Sequence, residues 1–460
     1  MTSAPTGGTP AGTAREPSRG EVNKVVVASL IGTTIEWYDF FLYGTAAALV
    51  FNKLFFPESD PLTGTMLAFT TYALGFLARP FGGVFFGHFG DRIGRKSMLV
   101  ITLTLMGGAT FLIGLMPTYT TLGIGAAVIL TLLRLVQGFA LGGEWGGAVL
   151  MAAEYGQAKR RGLRASLPQA GVPLGLLLST GVLSLVSANT SDAQFLAWGW
   201  RVPFLLSIVL VAVGLWVRLT VAESPVFREA QQRVQAAAAE ARRDAPPFLQ
   251  VISRYRREVL VAMGARIAEN VSYYLFTVFV LVYIADHLKM SKQVGLNALL
   301  IAALVHLVAI PSWAYLSDRY GRRPVYLFGA TGVGVWAFVF FFLLDAKSAG
   351  LVTLAIAGGL VFHAAMYGPQ AAFFSELFGT KVRYTGASVG YQLASVVAGS
   401  VAPLIAAKLL SMYGTSTPIS VYLAICAAIT IVAILLARET RKSDLSAVET
   451  EQEELVKLGP

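Results

Sequence analysis

Apolar residues in this chain gather into long continuous runs, not into the alternating or three-to-four spaced stripes of a water-soluble fold. Twelve such runs cover about 24–50, 63–87, 97–116, 121–150, 165–187, 200–220, 257–286, 294–316, 324–344, 350–373, 384–410 and 418–438. An α-helix needs about 20 mainly apolar residues to cross a bilayer core, so each run predicts a transmembrane helix. Most connectors are short, so sequence neighbours are expected to pack antiparallel. The long connector Val221–Arg256 divides the runs six and six. The pattern predicts an all-α integral membrane protein of 12 transmembrane helices in two six-helix halves. Residues 1–23 read as a disordered cytoplasmic tail rich in Gly, Pro, Ser and Thr, 24–220 as the first half and 221–256 as a linker. Residues 257–438 read as the second half and 439–460 as a second cytoplasmic tail. In the linker, Ser224-Pro225 opens and Ala245-Pro246-Pro247 closes an Ala-rich amphipathic helix, expected to lie along the membrane. The first run is too long for the apolar part of a cleaved signal peptide and contains two acids.

Composition agrees with this picture. Hydrophobic residues make up 55% of the chain and charged residues 13%, against about 25% charged in soluble domains. The net charge of +10 alone suggests nucleic acid, but the placement of the charges excludes that reading. Most of the 36 Lys and Arg fall in segments on one side of the membrane, including Arg92, Arg95, Lys96, Arg160, Arg161, Arg322, Arg323 and the Arg-rich linker. Only Lys53, Lys289, Lys292 and Lys347 fall in loops on the other. The positive-inside rule then places both termini in the cytoplasm of a cell (plasma or inner) membrane. Cys426 is the only cysteine and the 4 histidines are scattered, which leaves no disulfide and no metal site to propose. No phosphate-binding loop or nucleophile–base pair appears. The expected driver is a proton gradient with no bound cofactor, and sodium coupling stays open.

The informative chemistry is the charge inside the runs. Glu36 and Asp39 lie three apart in the first run and share a helix face. Charges at that depth cost several kcal/mol and usually face a protein interior or a wet cavity. Arg79, Arg134, Arg266 and Glu269 sit in the second, fourth and seventh runs. An arginine fork binds carboxylate in two places and stays charged when buried. A carboxyl group in a partly dry cavity takes up a proton more readily than one in water. Arg134, Arg79, Arg266 and Glu269 are therefore candidate solute-binding residues, joined by Tyr43, Gln169, Tyr391 and Gln392 as pocket candidates. Asp39 is the candidate proton carrier, with Glu36 its ion-paired neighbour. A competing reading makes these charges buried pairs that align helices, and Arg266 with Glu269 at i, i+3 fits that equally. Arg79, near the cytoplasmic end, fits a gate as well as a ligand. His306 and His363 are titratable groups inside the runs, each read as a packing residue first, with a part in transport as the lesser reading.

The chain also repeats itself. Gly87-His88-Phe89-Gly90-Asp91-Arg92-Ile93-Gly94-Arg95-Lys96 and Tyr315-Leu316-Ser317-Asp318-Arg319-Tyr320-Gly321-Arg322-Arg323-Pro324 share D-R-x-G-R-[KR] at matching places in the two halves. Glu154 before Arg160–Arg164 is echoed by Glu376 before Lys381 and Arg383. Homologous halves place a binding site between them near the midplane. Gly171-Val172-Pro173-Leu174-Gly175 and Gly399-Ser400-Val401-Ala402-Pro403 suit a pivot or plain close packing, and both readings stay open.

The two loops resemble the signature loops of the major facilitator superfamily. The finer resemblance is to its metabolite:proton symporter family. It is carried by Glu36-Trp37-Tyr38-Asp39-Phe40-Phe41, Gly75-Phe76-Leu77-Ala78-Arg79-Pro80, Arg134-Leu135-Val136-Gln137-Gly138, Gly142-Gly143-Glu144-Trp145-Gly146-Gly147, Trp198-Gly199-Trp200-Arg201 and Val382-Arg383-Tyr384-Thr385-Gly386. That family includes transporters of shikimate, 2-oxoglutarate, citrate and proline/betaine, and the shikimate-type branch is the most similar. The resemblance implies that Gly87, Asp91, Arg92, Gly94 and Arg95, with Asp318, Arg319 and Arg322, form latches closing the cytoplasmic side. Glu144, Glu154, Glu376 and Arg383 join them as gate or loop partners. The expected function is symport of a proton with a small organic acid, shikimate-like or another mono- or dicarboxylate, by alternating access. Symport of a zwitterionic osmolyte such as proline or betaine is the alternative, and a solute receptor of transporter shape comes behind it. The tail after Arg438 is too short for an osmosensing coiled coil. The bundle needs no second copy to form its cavity, so a monomer in the lipid bilayer is expected.

Overall fold

A computed structural model of the chain describes residues 19–93, 95–142, 160–222, 251, 255–378 and 383–441. Among the described residues every regular element is helical. The first half comprises α1 (Arg19–Ala46), α2 (Pro61–Ile93), α3 (Arg95–Leu115), α4 (Ile124–Leu141), α5 (Arg161–Ala188) and α6 (Arg201–Ala222). The second comprises α7 (Arg256–His287), α8 (Lys292–Tyr320), α9 (Arg322–Asp345), α10 (Ala349–Leu377), α11 (Arg383–Ala394, resuming as Ala402–Tyr413) and α12 (Thr417–Leu436). One helix thus answers each apolar run. Nine described helices are apolar and long enough to cross a membrane, and a bent pair with a 41° break, Asp192–Gly199 and Arg201–Val217, makes ten. The linker helix and both tails beyond 19 and 441 lie outside the described residues.

Packing repeats between the halves with an offset of six helices. α1 packs on α5 as α7 packs on α11, α2 on α4 as α8 on α10, and α3 on α6 as α9 on α12. The halves meet along two seams related the same way, α5 against α8 and α11 against α2, and also where the start of α5 packs on α10. Faces turned away from these contacts present large apolar side chains, such as Phe342 at 77% and Phe81 at 71% exposure. A continuous apolar belt on a helical bundle is the surface that lipid covers.

Small residues set the close approaches. A Cβ on Gly75 would stand 2.6 Å from Arg134 Nε, so this glycine makes the room in which the guanidinium lies. Gly175 likewise admits the backbone of α1 at Trp37 and Tyr38. In α11 a π turn, Ser395–Gly399, places Gly399 so that a Cβ would stand 2.7 Å from Asn270 Oδ1. The α7 helix carries π turns at Leu275–Phe279 and Tyr283–His287. Such turns often mark functional segments, and nothing in the apolar pattern foretold them.

Candidate functional site

Among the described residues, two narrow cavities lie at the heart of the bundle, each with free space of about 10 Å³, room for about one water molecule; the first lies within the first half and the second between the halves. The first is built by α1, α2, α3 and α4, and Glu36, Asp39, Arg79, Arg134 and Gln137 line it. All five are under a tenth exposed. Arg134 lies over the rings of Tyr43 (4.3 Å), Tyr72 (4.7 Å) and Phe40 (4.8 Å). Its Nη1 donates to Gln137 Oε1 at 3.1 Å, and Gln137 Nε2 donates to Thr110 Oγ1 at 2.7 Å. Arg79 lies over Phe76 (4.3 Å) and Phe40 (4.6 Å). Aromatic faces hold both cations without using their N–H donors. Nε and Nη2 of each arginine have no hydrogen-bond acceptor, and both Asp39 oxygens lack a hydrogen-bond donor in good geometry. Buried polar groups are nearly always satisfied, so unpaired donors converging on one cavity mark a place for a ligand's oxygens.

The second cavity is lined by Trp37 of α1, Arg266, Glu269 and Tyr274 of α7, His363 and Tyr367 of α10, and Tyr391 of α11. Here the cation is already neutralised. Arg266 Nη1 pairs with Glu269 Oε2 at 3.0 Å and donates to Gln370 Oε1 at 2.7 Å, while its Nε donates to Ser395 Oγ at 3.2 Å. Its guanidinium lies 3.2 Å over the Tyr391 ring. Glu269 Oε1 also meets His363 Nε2 at 3.1 Å, and His363 Nδ1 meets His306 Nε2 at 2.9 Å. The two linings touch where Phe40 faces Tyr274, ring centroids 5.9 Å apart.

The remaining pocket candidates fall outside both linings. Tyr43 donates to or accepts from Thr71 Oγ1 at 2.7 Å and supports Arg134 from beneath. Gln169 Nε2 donates to Tyr367 O at 3.0 Å and ties α5 to α10 across the halves. Gln392 lines neither cavity, and its Oε1 is buried without a partner.

A compact cluster of charges joins the halves at the end of the bundle that carries the second D-R-x-G-R-R loop. Asp318 accepts from the backbone N–H of Gly162 and Leu163, both at 2.9 Å, in the first turn of α5. A carboxylate there satisfies donors that the helix itself leaves open and meets the positive end of the helix dipole. Arg322 pairs with Asp318 at 2.8 Å and with Glu376 at 3.2 Å, and Arg161 pairs with Glu376 at 3.1 Å. Arg319, expected in this latch, is exposed and extends over Tyr320 instead. Glu439 and Thr440, assigned by the sequence to the tail, belong to the cluster. Thr440 Oγ1 donates to Glu376 Oε2 at 2.7 Å, and Glu439 accepts from the N–H of Arg322 and Arg323. Glu144, Glu154 and Gly94 lie outside the described residues, as do the side chains at Gly87, Asp91, Arg92, Arg95 and Arg383. At the opposite end, Lys292 of α8 pairs with Asp192 at 2.6 Å across the halves. That ammonium holds the exposed Asp192 carboxyl below its ordinary range, a weak contribution present near neutral pH and lost as pH falls through the lowered value.

Sequence reasoning missed the partners more than the charges. Gln137, Thr110 and Gln370 carry no signal of their own. His306 and His363 lie 57 positions apart, and nothing in that spacing pairs them. Only the packing of α8 on α10 brings them together.

The family model described as "Sugar (and other) transporter" matches residues 24–247 and 228–451. The chain is 42% identical to the shikimate transporter of Escherichia coli (strain K12) over 93% of its own length and 97% of that protein. It is 41% identical to the inner membrane metabolite transport protein YhjE of the same organism, covering 92% of this chain and 96% of that one. With the E. coli proline/betaine transporter the identity is 33%, over 93% of this chain and 85% of the relative. Among solved structures, the proton:xylose symporter XylE of the major facilitator superfamily superimposes with a TM-score of 0.73 at 18% identity, covering 94% of this chain and 99% of that one. That likeness establishes the fold. The resemblance carried by the loop motifs and the first helix therefore holds along nearly the whole chain, which belongs to the sugar (and other) transporter family and is a multi-pass membrane transporter, not an enzyme.

Proposed function

We propose that the chain is a proton-coupled symporter that brings a small organic acid across the cell membrane by alternating access. One observation carries the reading. Arg79 and Arg134, buried together in one cavity, keep unpaired N–H donors beside the acid Asp39. Two guanidinium groups favour a carboxylate, and a neighbouring acid that exchanges a proton links its passage to the proton gradient. The 42% identity to a shikimate transporter supports a hydroxylated ring acid as the first solute to try. In this account Asp39 carries the proton, Glu36 is its acidic neighbour, and the halves 24–220 and 257–438 rock about the cavities. The Lys and Arg distribution supports cytoplasmic termini. The Asp318–Arg322–Glu376–Arg161 cluster holds the cytoplasmic side shut in one state, and the protein works as a monomer without a bound cofactor.

A zwitterionic solute is the second reading, and the aromatic second cavity favours it. Trp37, Tyr274, Tyr367 and Tyr391 line it, and aromatic rings are the groups that hold a quaternary ammonium. A proline/betaine transporter is also among the relatives. Thermal shift and proteoliposome uptake with shikimate, benzoate, succinate, proline and betaine separate the two. Stabilisation by the acids and not by betaine supports the first reading, and the reverse order overturns it. Asp39→Asn is expected to retain exchange of labelled solute across the membrane while losing accumulation against a gradient. A variant that still accumulates solute removes Asp39 from the coupling role.

A further inference from the structure

A chain of buried groups with no role in the proposed binding of solute by Arg79 and Arg134 runs from the wall of the second cavity, where Glu269 and His363 line it, to His306 behind them. Glu269 accepts from three donors, Arg266 Nη1 at 3.0 Å and Gln370 Nε2 and Asn270 Nδ2 at 3.3 Å, and its Oε1 lies 3.1 Å from His363 Nε2. A guanidinium and two amide donors describe an ionised carboxylate. His363 must then carry its hydrogen on Nε2, which leaves Nδ1 to accept from His306 Nε2. This fixes both tautomers and leaves His306 Nδ1 as an unprotonated acceptor. That atom is buried and has no partner. Neutral imidazoles with one lone pair left over form a relay with an open end.

We propose that His306, His363 and Glu269 are a proton-accepting relay that releases Arg266 to a carboxylate solute in the second cavity. A proton from water adds to His306 Nδ1. His306 passes its Nε2 proton to His363 Nδ1, and His363 passes its own Nε2 proton to Glu269 Oε1. Both imidazoles end neutral with the hydrogen on Nδ1, and Glu269 ends as a carboxylic acid whose hydrogen bonds back to His363 Nε2. Arg266 has then lost its anionic counter-ion. A solute carboxylate takes that place, so one proton and one negative charge enter the cavity together. Glu269 is on this view a competitor of the solute for Arg266, not a ligand of it.

The other groups facing the relay do not titrate in its place. From α7, Tyr273 lies 4.7 Å from His363 and 5.7 Å from His306 between ring centroids. From α10, Tyr367 stacks on His363 at 5.4 Å. From α9, Tyr326 OH accepts from Gln370 Nε2, and from α11, the Tyr391 ring lies against Arg266. Phenols titrate near pH 10 and arginine above 12. The α5 segment Gly171–Ala188, packed on α8, has no titratable side chain. Asp39 and Glu36 belong to the first cavity, which makes Glu269 separable by mutation.

The inference rests on the organic-acid symport reading, and calorimetry can tell their failures apart. Shikimate binding, with benzoate as a second carboxylate, is measured in buffers of different ionisation enthalpy to count protons taken up. The wild type is expected to take up protons and to bind more tightly as pH falls. Glu269→Gln, a mimic of the protonated acid, should take up about one proton fewer and bind nearly as well at alkaline as at acid pH. His306→Gln should keep acid-pH affinity while slowing uphill uptake roughly tenfold. In the Asp39→Asn background, infrared difference spectra should show a carboxylic-acid band appearing on binding, a readout that needs no change in the relay. An unchanged proton count and pH slope in Glu269→Gln, or no such band, overturns the relay alone. Binding of neither acid by the wild type overturns the reading beneath it.

Discussion

Arg134→Ala is expected to abolish measurable solute binding, a loss of roughly 100-fold or more, from removal of a buried charge worth about 3–5 kcal/mol to its partner. The size follows from the setting. Arg134 is 2% exposed, so an anion beside it gives up its water and depends on the guanidinium. Two of its nitrogens are unpaired in the cavity, while the third is held by Gln137 and the plane rests on Tyr43, Tyr72 and Phe40. The fork is therefore already oriented and binding does not have to order it. Arg134→Lys keeps the charge and loses the planar fork, so it should fall between wild type and Ala. Equilibrium binding to purified protein checks this, with a monodisperse gel-filtration peak as the control for folding. Wild-type affinity in Arg134→Ala would remove this residue from the binding site.

The second large effect is expected at the Arg322 cluster, the proposed gate. Arg322 is 1% exposed and contacts Asp318, Glu376 and Ser317, while Glu376 is fully buried. Arg322→Ala leaves two carboxylates without their shared cation, a cost of about 3–5 kcal/mol borne only by the closed arrangement. The closed population should fall by a factor of roughly 100 or more. Transport then drops because alternating access needs both states, whereas solute binding survives. The single cysteine makes this measurable, since Cys426 is only 5% exposed. Ala165 of α5 packs on Ala371 and Ala372 of α10 between the halves and is fully buried. A cysteine placed at 165 should react slowly with a maleimide in the parent and about 100-fold faster with Arg322→Ala. Equal rates would mean that the cluster does not hold the gate.

The twelve helices were legible because bilayer length and apolar composition impose one pattern on every span. The cavities' charges were legible for the converse reason, since Glu36, Asp39, Arg79, Arg134, Arg266 and Glu269 interrupt that pattern at a cost. What the charges do to one another was not legible, because it depends on helix rotation. Arg319 and Arg322 look equivalent in the loop. Gly321 adopts φ +112°, which ends α8 and starts α9. A side chain is strained there, and the turn sends Arg322 inward while Arg319 stays on the outer face of α8. Arg79 and Arg134 against Arg266 make the same point. Three arginines look alike in sequence, yet Glu269 neutralises only the third. Glu439 and Thr440 were placed in the tail because the apolar run stops at 438, and side-chain contact to Glu376 carries no hydropathy signal.

Proton coupling is decided by accumulation in wild-type proteoliposomes under an imposed pH gradient. An inside-alkaline gradient should drive uptake of labelled shikimate or another acid of the panel above its external concentration. A proton uncoupler should abolish that accumulation, and exchange at equal pH should persist. Accumulation that is equally strong with the gradient collapsed, or that follows sodium alone, would contradict proton-coupled symport.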